Sequence, residues 1–90
     1  MDGYEWDPAK AAANLAKHKV HFADAALSLE DPRALAMLDP DAVGEERFIA
    51  LAADPTGRVL VTVSAYVATN IRIISARRAS PGERKRYERR

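Results

Sequence analysis

Arginine is the residue type in this sequence whose placement best suits chemistry. Arg72, Arg77 and Arg78 lie within residues 70–80, among three isoleucines. A guanidinium is planar, stays charged and matches the oxygens of a phosphate, whereas β-branched residues favour a strand. The stretch therefore predicts a strand that carries cations for an anionic ligand.

The side chains of a strand alternate between its two faces. One face of this predicted strand carries Arg72, Ile74, Ala76 and Arg78, and the other carries Ile71, Ile73, Ser75 and Arg77. We therefore expect Arg72 and Arg77 on opposite faces of the strand.

A helix is predicted over residues 9–18, because Asp7 can cap its start and Pro8 suits the first helical position. Its apolar stripe faces the predicted core, and the other side carries the polar and cationic residues. These further candidates for a site are Lys10, Asn14, Lys17 and His18.

The remaining patterns predict an α+β domain. A short first strand at residues 4–6 and two helices, the second near 22–29, pack on one face of an antiparallel four-stranded meander. The meander comprises residues 34–38, 46–53, 58–66 and the arginine-containing strand, with a type I turn at 54–57 and Asn70 as the expected positive-φ residue of the last turn. A capping box at Ser80 and Glu83 opens a short C-terminal helix. The uncovered face of the sheet is left for a partner.

Composition narrows the function classes. The 90 residues fit one domain over residues 1–90, there is no cysteine, and no apolar run is long enough to span a bilayer. We therefore expect a cytoplasmic protein without membrane contact. Residues 1–45 carry a net charge of −5 and residues 46–90 a net charge of +6, an asymmetry typical of chains that bind nucleic acid or a charged partner.

Other catalytic patterns are missing from the sequence. There is no glycine-rich phosphate loop, no Ser-His-Asp arrangement and no glycosidase-like carboxylate pair. His18 and His21 are three residues apart, but spacing suggests no third ligand. We expect neither a metal site nor a cofactor.

Several segments resemble the BrnT toxins of type II toxin–antitoxin systems, in the RelE-like ribonuclease group. The most specific is Ile-Arg-Ile-Ile-Ser-Ala-Arg-Arg-Ala at 71–79, and the other segments follow the order of the family. They are Tyr-Glu-Trp-Asp-Pro-Ala-Lys at 4–10, Asn14 with Lys17-His18, Val20 to Ala25, Asp31-Pro32, Gly-Glu-Glu-Arg at 44–47, Gly57-Arg58 and Glu83-Arg84 with Tyr87.

This resemblance implies a RelE-like fold and a metal-independent endoribonuclease that stops translation. It also implies a BrnA-type antitoxin as protein partner, RNA as substrate, and operator DNA reached only through the antitoxin. Attack by a ribose 2′-hydroxyl needs a base, an acid and cations around the phosphorane. Our hypothesis is that Arg72 and Arg77 hold the scissile phosphate and that Lys17 or His18 transfers protons. The residues expected to help bind the RNA are Lys10, Asn14, Arg47, Tyr66 and Arg78.

Other interpretations stand beside these roles. His18 suits a helix C-terminus equally well, Tyr66 is equally a packing residue, and Trp6 and Phe22 are expected in the core. Lys19 stands where the family usually has glycine, and lysine resists positive φ. A toxin relic that only binds an antitoxin, and a nucleic-acid binder without chemistry, remain alternatives.

Overall fold

A five-stranded sheet is the centre of the computed structural model, which describes residues 3–89. In chain order the elements are β1 (Gly3–Glu5), α1 (Pro8–His18), α2 (Phe22–Ser28), β2 (Leu35–Leu38), β3 (Phe48–Ala53), β4 (Val59–Val67), β5 (Asn70–Arg78) and α3 (Pro81–Glu88). The strand order is β1-β5-β4-β3-β2. No helix among residues 3–89 is long and apolar enough to cross a membrane.

The α+β class is confirmed, but the expectation of a four-stranded antiparallel sheet was wrong. β1 joins the sheet as a fifth strand and pairs in parallel with β5, Tyr4 opposite Ile71 and Glu5 opposite Arg72. The sheet is therefore mixed. Local sequence patterns identify a strand, whereas its choice of partner across more than sixty residues depends on the packing of the whole chain.

Helices α1 and α2 cover one face of β4 and β5, and the core lies between these two layers. Its fully or nearly fully buried members include Val20, Phe22, Leu60 and Ile73. Trp6 packs edge-to-face on Phe22, with ring centroids 6.2 Å apart. Burying these apolar side chains drives the helices onto this face of the sheet.

A β-bulge at Ile74 changes which side chains share a face. Val63 of β4 pairs with Ser75, but the next residue, Ser64, pairs with Ile73, so Ile74 has no opposite residue. Directly opposed residues point to the same face, and an extra residue in one strand shifts its alternation. The expectation that Arg72 and Arg77 lie on opposite faces was therefore wrong, and both share a face with Ser75.

Beyond the end of β1, the side chain of Asn14 forms the hydrogen bonds to the edge of β5 that a neighbouring strand would otherwise form. Pairing of β1 stops at Glu5 opposite Arg72, which leaves the outer edge of β5 open beyond that point. The Oδ1 atom of Asn14 accepts from the amide of Ala76 at 3.1 Å, and its Nδ2 donates to the carbonyl oxygens of Ala76 at 2.8 Å and Val20 at 3.1 Å. A buried primary amide has the donor and acceptor of a peptide group, so Asn14 joins α1 to β5.

Two connections place ordinary residues at positive φ. Lys19 ends α1 at φ 60° and donates its amide to the carbonyl of Leu15 at 2.9 Å. The turn after β4 has its positive φ, 55°, at Ala68. The expectation for Asn70 was wrong because Asn70 already pairs with Val67 in the sheet. Glycine is the residue that adopts this conformation without strain.

The first turns of α1 and α3 and the turn after β3 form the hydrogen bonds that the sequence predicts. Asp7 accepts the amide of Ala9 at 2.8 Å and caps α1. The turn after β3 closes with Gly57 donating to the carbonyl of Asp54 at 2.9 Å. Ser80 and Glu83 form the predicted capping box of α3.

Replacing Asn14 by alanine should lower the free energy of unfolding by about 2–4 kcal/mol, because buried main-chain groups of Ala76 and Val20 lose their partners. Chemical denaturation measures the change. Asn70→Ala is the matched control: its Nδ2 donates to Glu5 at a part-buried site, so the loss should stay near about 1 kcal/mol. Equal losses for the two variants would contradict the bridging role of Asn14.

Replacing Lys19 by glycine should raise stability by about 0.5–1 kcal/mol, since relief of left-handed strain outweighs the added chain entropy. Thermal unfolding measures it. Lys17→Gly, inside the same helix, should instead cost about 1 kcal/mol. A loss of stability for both variants would show that Lys19 carries no strain.

Candidate nucleic-acid interface

The face of the sheet opposite α1 and α2, called here the open face, carries the candidate site. Its side chains follow from the register of the four strands β5 to β2. They are Arg72, Ser75 and Arg77 of β5, Val61, Val63 and Ala65 of β4, Ile49 and Leu51 of β3, and Leu35 and Met37 of β2. The open face thus combines cations at β5 with an aliphatic floor.

Arg77 is held by the first turn of α3. Its Nη1 and Nη2 donate to the two carboxylate oxygens of Glu83 at 2.8 and 2.9 Å, and Nη1 also donates to the carbonyl of Arg78 at 3.2 Å. The hydrogen bonds from Arg77, followed by that from the amide of Ser80, lower the pKa of Glu83 to about 2. The same carboxylate raises the pKa of Arg77. The guanidinium is therefore fixed in orientation and permanently charged.

Asp31 anchors the far end of α3. Its Oδ2 atom accepts from the hydroxyl of Tyr87 and, at 2.9 Å, from the amide of Ala53 at the end of β3. Burial opposes ionisation of Asp31, but the hydrogen bonds from Tyr87, Ala53 and Arg33 lower its pKa. The helix that orients Arg77 is thus itself tied to the end of the sheet.

His18, the last residue of α1, lines a groove on the open face. An open groove of about 490 Å³ is lined by His18, Ser75 and Arg77 together with Met37, Ile49, Val61, Val63, Ala76, Glu83 and Arg86. Lys17 is exposed on α1 and is not among these residues. Of the two predicted proton-transfer candidates, the structure therefore brings His18, and not Lys17, beside Arg77.

Arg72 lies with Lys10 instead. A second cavity of about 540 Å³ is lined by both residues, with Trp6, Asp7 and Ile74. The Nε atom of Arg72 donates to Glu5 at 3.1 Å. Hydrogen bonds from Asn70 and Arg72 lower the pKa of Glu5. Arg72 and Arg77 are level with Ala65 and Val61 of β4, so roughly 13 Å of strand separates them.

The other predicted site residues lie apart from His18 and Arg77. Arg47 comes one residue before β3, with its Nε 4.0 Å from Glu45. Tyr66 is 66% exposed and packs edge-to-face on Phe48, and its register partner Ile71 belongs to the helix-covered face. Arg78 lies opposite Leu60 on that same face. The side-chain amide of Asn14 is hydrogen-bonded to the main chain of Val20 and Ala76.

Ser75, Glu83 and Arg86 line the groove but were not predicted as site residues. Ser75 was placed on the face of Arg77 without a role, Glu83 was given a role only in the capping box, and Arg86 was not among the candidates. One signal for Glu83 was present: a carboxylate six residues after Arg77, across a turn that begins a helix. Among residues 3–89, no group of three or more His, Asp or Glu side chains is arranged to hold a metal ion.

A small α+β protein with α1 and α2 on one side of its sheet, and a histidine with arginines on the other, belongs to the class that can bind a polyanion. The comparisons specify the class further. Residues 6–83 match the family described as "Ribonuclease toxin, BrnT, of type II toxin-antitoxin system". The chain belongs to the BrnT family, which confirms the resemblance found in the sequence.

A solved structure supports the same assignment. The chain is similar to the ribonuclease toxin BrnT of Brucella abortus, known from a crystal structure at 1.1 Å resolution, with a TM-score of 0.67 and 25% sequence identity. The match covers 89% of this chain and 99% of the Brucella chain. Comparison with curated proteins gave no match. A type II toxin family with ribonuclease members implies a protein antitoxin and an RNA substrate.

The contact between Glu83 and Arg77 should make stability depend on pH. The pKa of Glu83 falls from an ordinary 4.5 to about 2 in the folded chain, so its contribution is complete above about pH 4.5 and is lost as the pH falls toward 2. Because the side chains are 45% and 29% exposed, the contribution should stay under about 1 kcal/mol.

Denaturation of the unmodified chain and of Glu83→Gln between pH 2 and 7, in steps of about half a unit, measures this dependence. The difference in stability should be constant near neutrality and shrink below about pH 4.5. Glu88→Gln, an exposed acid on the same helix, is the control and should show no such trend. A difference for Glu83→Gln that does not vary with pH would contradict the ion pair.

Proposed function

We propose that this chain is a RelE-like, metal-independent endoribonuclease that inhibits translation in the cytoplasm and is neutralised by a BrnA-type antitoxin. Operator DNA would be reached only through that antitoxin. The observation that carries the proposal is the shared face of Arg72 and Arg77, with His18 lining the same groove as Arg77. The family described as ribonuclease toxins supports it.

In the proposed reaction, the 2′-hydroxyl oxygen of a ribose attacks the adjacent phosphorus and the bond to the 5′-oxygen breaks. His18, which lines the groove of Arg77, accepts the proton of the 2′-hydroxyl as general base. The departing 5′-oxygen takes a proton from water, and the products are a 2′,3′-cyclic phosphate and a 5′-hydroxyl. Arg77 stabilises the charge on the phosphorane, and Glu83 fixes its guanidinium beforehand, which reduces the cost of reorganisation.

Arg72 has a separate task in this proposal. Its distance from Arg77 along the sheet, roughly 13 Å, suits a different phosphate of the same RNA strand. Lys10 lines the cavity of Arg72 and adds a second cation there. RNA would therefore cross the β5 side of the open face.

A non-catalytic toxin relic that only binds its antitoxin is the second candidate. The observation in its favour is that both arginines already have carboxylate partners, Arg72 in Glu5 and Arg77 in Glu83. Each pair reduces the positive charge that RNA would encounter. Cleavage separates the two candidates.

Purified chain should cleave single-stranded RNA in the presence of EDTA. Arg77→Ala should slow cleavage by about 10²–10³-fold, as expected for a group that stabilises the transition state, and His18→Ala by about 10²–10⁴-fold. Single-turnover rates on a fluorescent oligonucleotide measure both effects.

Matched controls lie next to each residue in the sequence. Lys17→Ala and Arg78→Ala remove neighbouring cations from exposed positions and should change the rate by less than about threefold. If either control slowed cleavage as much as Arg77→Ala, the active surface would lie elsewhere. Intact RNA with the unmodified chain, together with antitoxin binding, would favour the relic.

A further inference from the structure

On its β2 side, the open face continues the groove of His18 and Arg77 as an aliphatic surface. A small cavity of about 150 Å³ and the larger one beside His18 adjoin, sharing Met37, Ile49 and Val61 with Glu83 and Arg86. Leu35 and Val63 extend the floor, so that it crosses from β2 to β4. Met37 is 53% exposed although it is apolar. We call these five apolar residues, Leu35, Met37, Ile49, Val61 and Val63, the apolar groove.

The floor of the apolar groove lacks the groups that bind RNA bases. Proteins hold unpaired bases by stacking on aromatic rings and by hydrogen bonds to base edges. Its floor offers only aliphatic side chains, whereas the rings of Tyr66 and Phe48 lie on the other face of the sheet. Aliphatic surface of this kind gains free energy when apolar side chains of a protein cover it.

The margin of the apolar groove is positively charged, which determines the charge that a partner protein would need. Arg77 and Arg86 border the groove on the side of α3, with His18 at the β5 end. The charge of Arg77 is partly neutralised by Glu83. Arg86, by contrast, is exposed on a helix that also carries Arg84, Lys85 and Arg89. A partner with acidic residues beside its apolar stripe would complement this margin.

The groove is a surface of side chains and offers no main-chain edge. A strand would instead pair at the outer edge of β2, which is the last strand in the sheet order. A helix satisfies its own main-chain groups and contacts a groove through side chains spaced i, i+3, i+4 and i+7. An amphipathic helix therefore fits this surface better than a strand.

From the aliphatic floor between β2 and β4 and the basic margin of α3, we propose that the apolar groove is the docking site for an amphipathic, acid-flanked helix of the antitoxin. This inference rests on the proposed antitoxin partnership. It assigns separate chemistry to the two sides of the open face, with protein contacts toward β2 and phosphate contacts toward β5.

The test measures binding of the antitoxin encoded beside the gene of this chain, purified separately, by titration calorimetry. Met37→Glu places a like charge in the groove and should weaken binding at least about 30-fold, as for a residue at the centre of an interface. Arg86→Glu should weaken it roughly tenfold through lost charge complementarity. Val43→Glu, the same change of character at a residue 94% exposed in the loop after β2, should alter it less than about threefold.

Three results would overturn the docking proposal. They are unchanged antitoxin binding by Met37→Glu, an equal loss in Val43→Glu, and an effect of Met37→Glu only on self-association in sedimentation experiments. RNA cleavage is assayed in parallel on the same variants. A chain that cleaves no RNA but loses antitoxin affinity specifically in Met37→Glu would contradict the proposed ribonuclease and retain the docking site. Thermal unfolding of each variant checks that the fold is intact.

Discussion

One surplus residue in β5 determines which side chains the sheet presents to solvent. Because Ile74 has no opposite residue in β4, the strand changes its alternation between Ile73 and Ser75. Without this bulge, Arg72 would lie on the helix-covered face or Arg77 would, and a permanently charged guanidinium would have to be buried or excluded from the core. The bulge instead brings both arginines to one open surface, on which the proposed function depends.

The two arginines of β5 on that surface are each oriented by an acid from another element. Glu5 of β1 contacts Arg72, and Glu83 of α3 holds Arg77 by two hydrogen bonds. These pairs reduce the net charge of the open face but fix the guanidinium groups before a ligand arrives. Fixed dipoles and charges are worth more to catalysis than mobile ones, because they need no reorganisation during the reaction. The first and last elements, β1 and α3, therefore each supply a carboxylate to one arginine of β5.

Local chemistry was predictable from the sequence, whereas relations between distant residues were not. The caps at Asp7 and Ser80 and the turn at Gly57 follow from residue types within a few positions of each other, so their prediction was confirmed. The pairing of β1 and the bulge at Ile74 depend on partners elsewhere in the chain, and no pattern within either strand reveals them. For the candidate site, residue type alone drew attention to Arg72 and Arg77. Helical spacing related both Lys17 and His18 to Asn14 but could not show that His18, and not Lys17, lines the groove of Arg77.

The most direct measurement follows the arginine side-chain signals of the labelled chain by nuclear magnetic resonance while a non-cleavable 2′-O-methyl RNA oligonucleotide is added. The account predicts that the Nε signals of Arg72 and Arg77 shift together with the imidazole of His18. The signals of Arg58 and Arg78, which belong to the other side of the sheet or its hairpin end, should remain in place. Shifts confined to Arg58 and Arg78 would contradict the assignment of the open face as the surface that binds RNA.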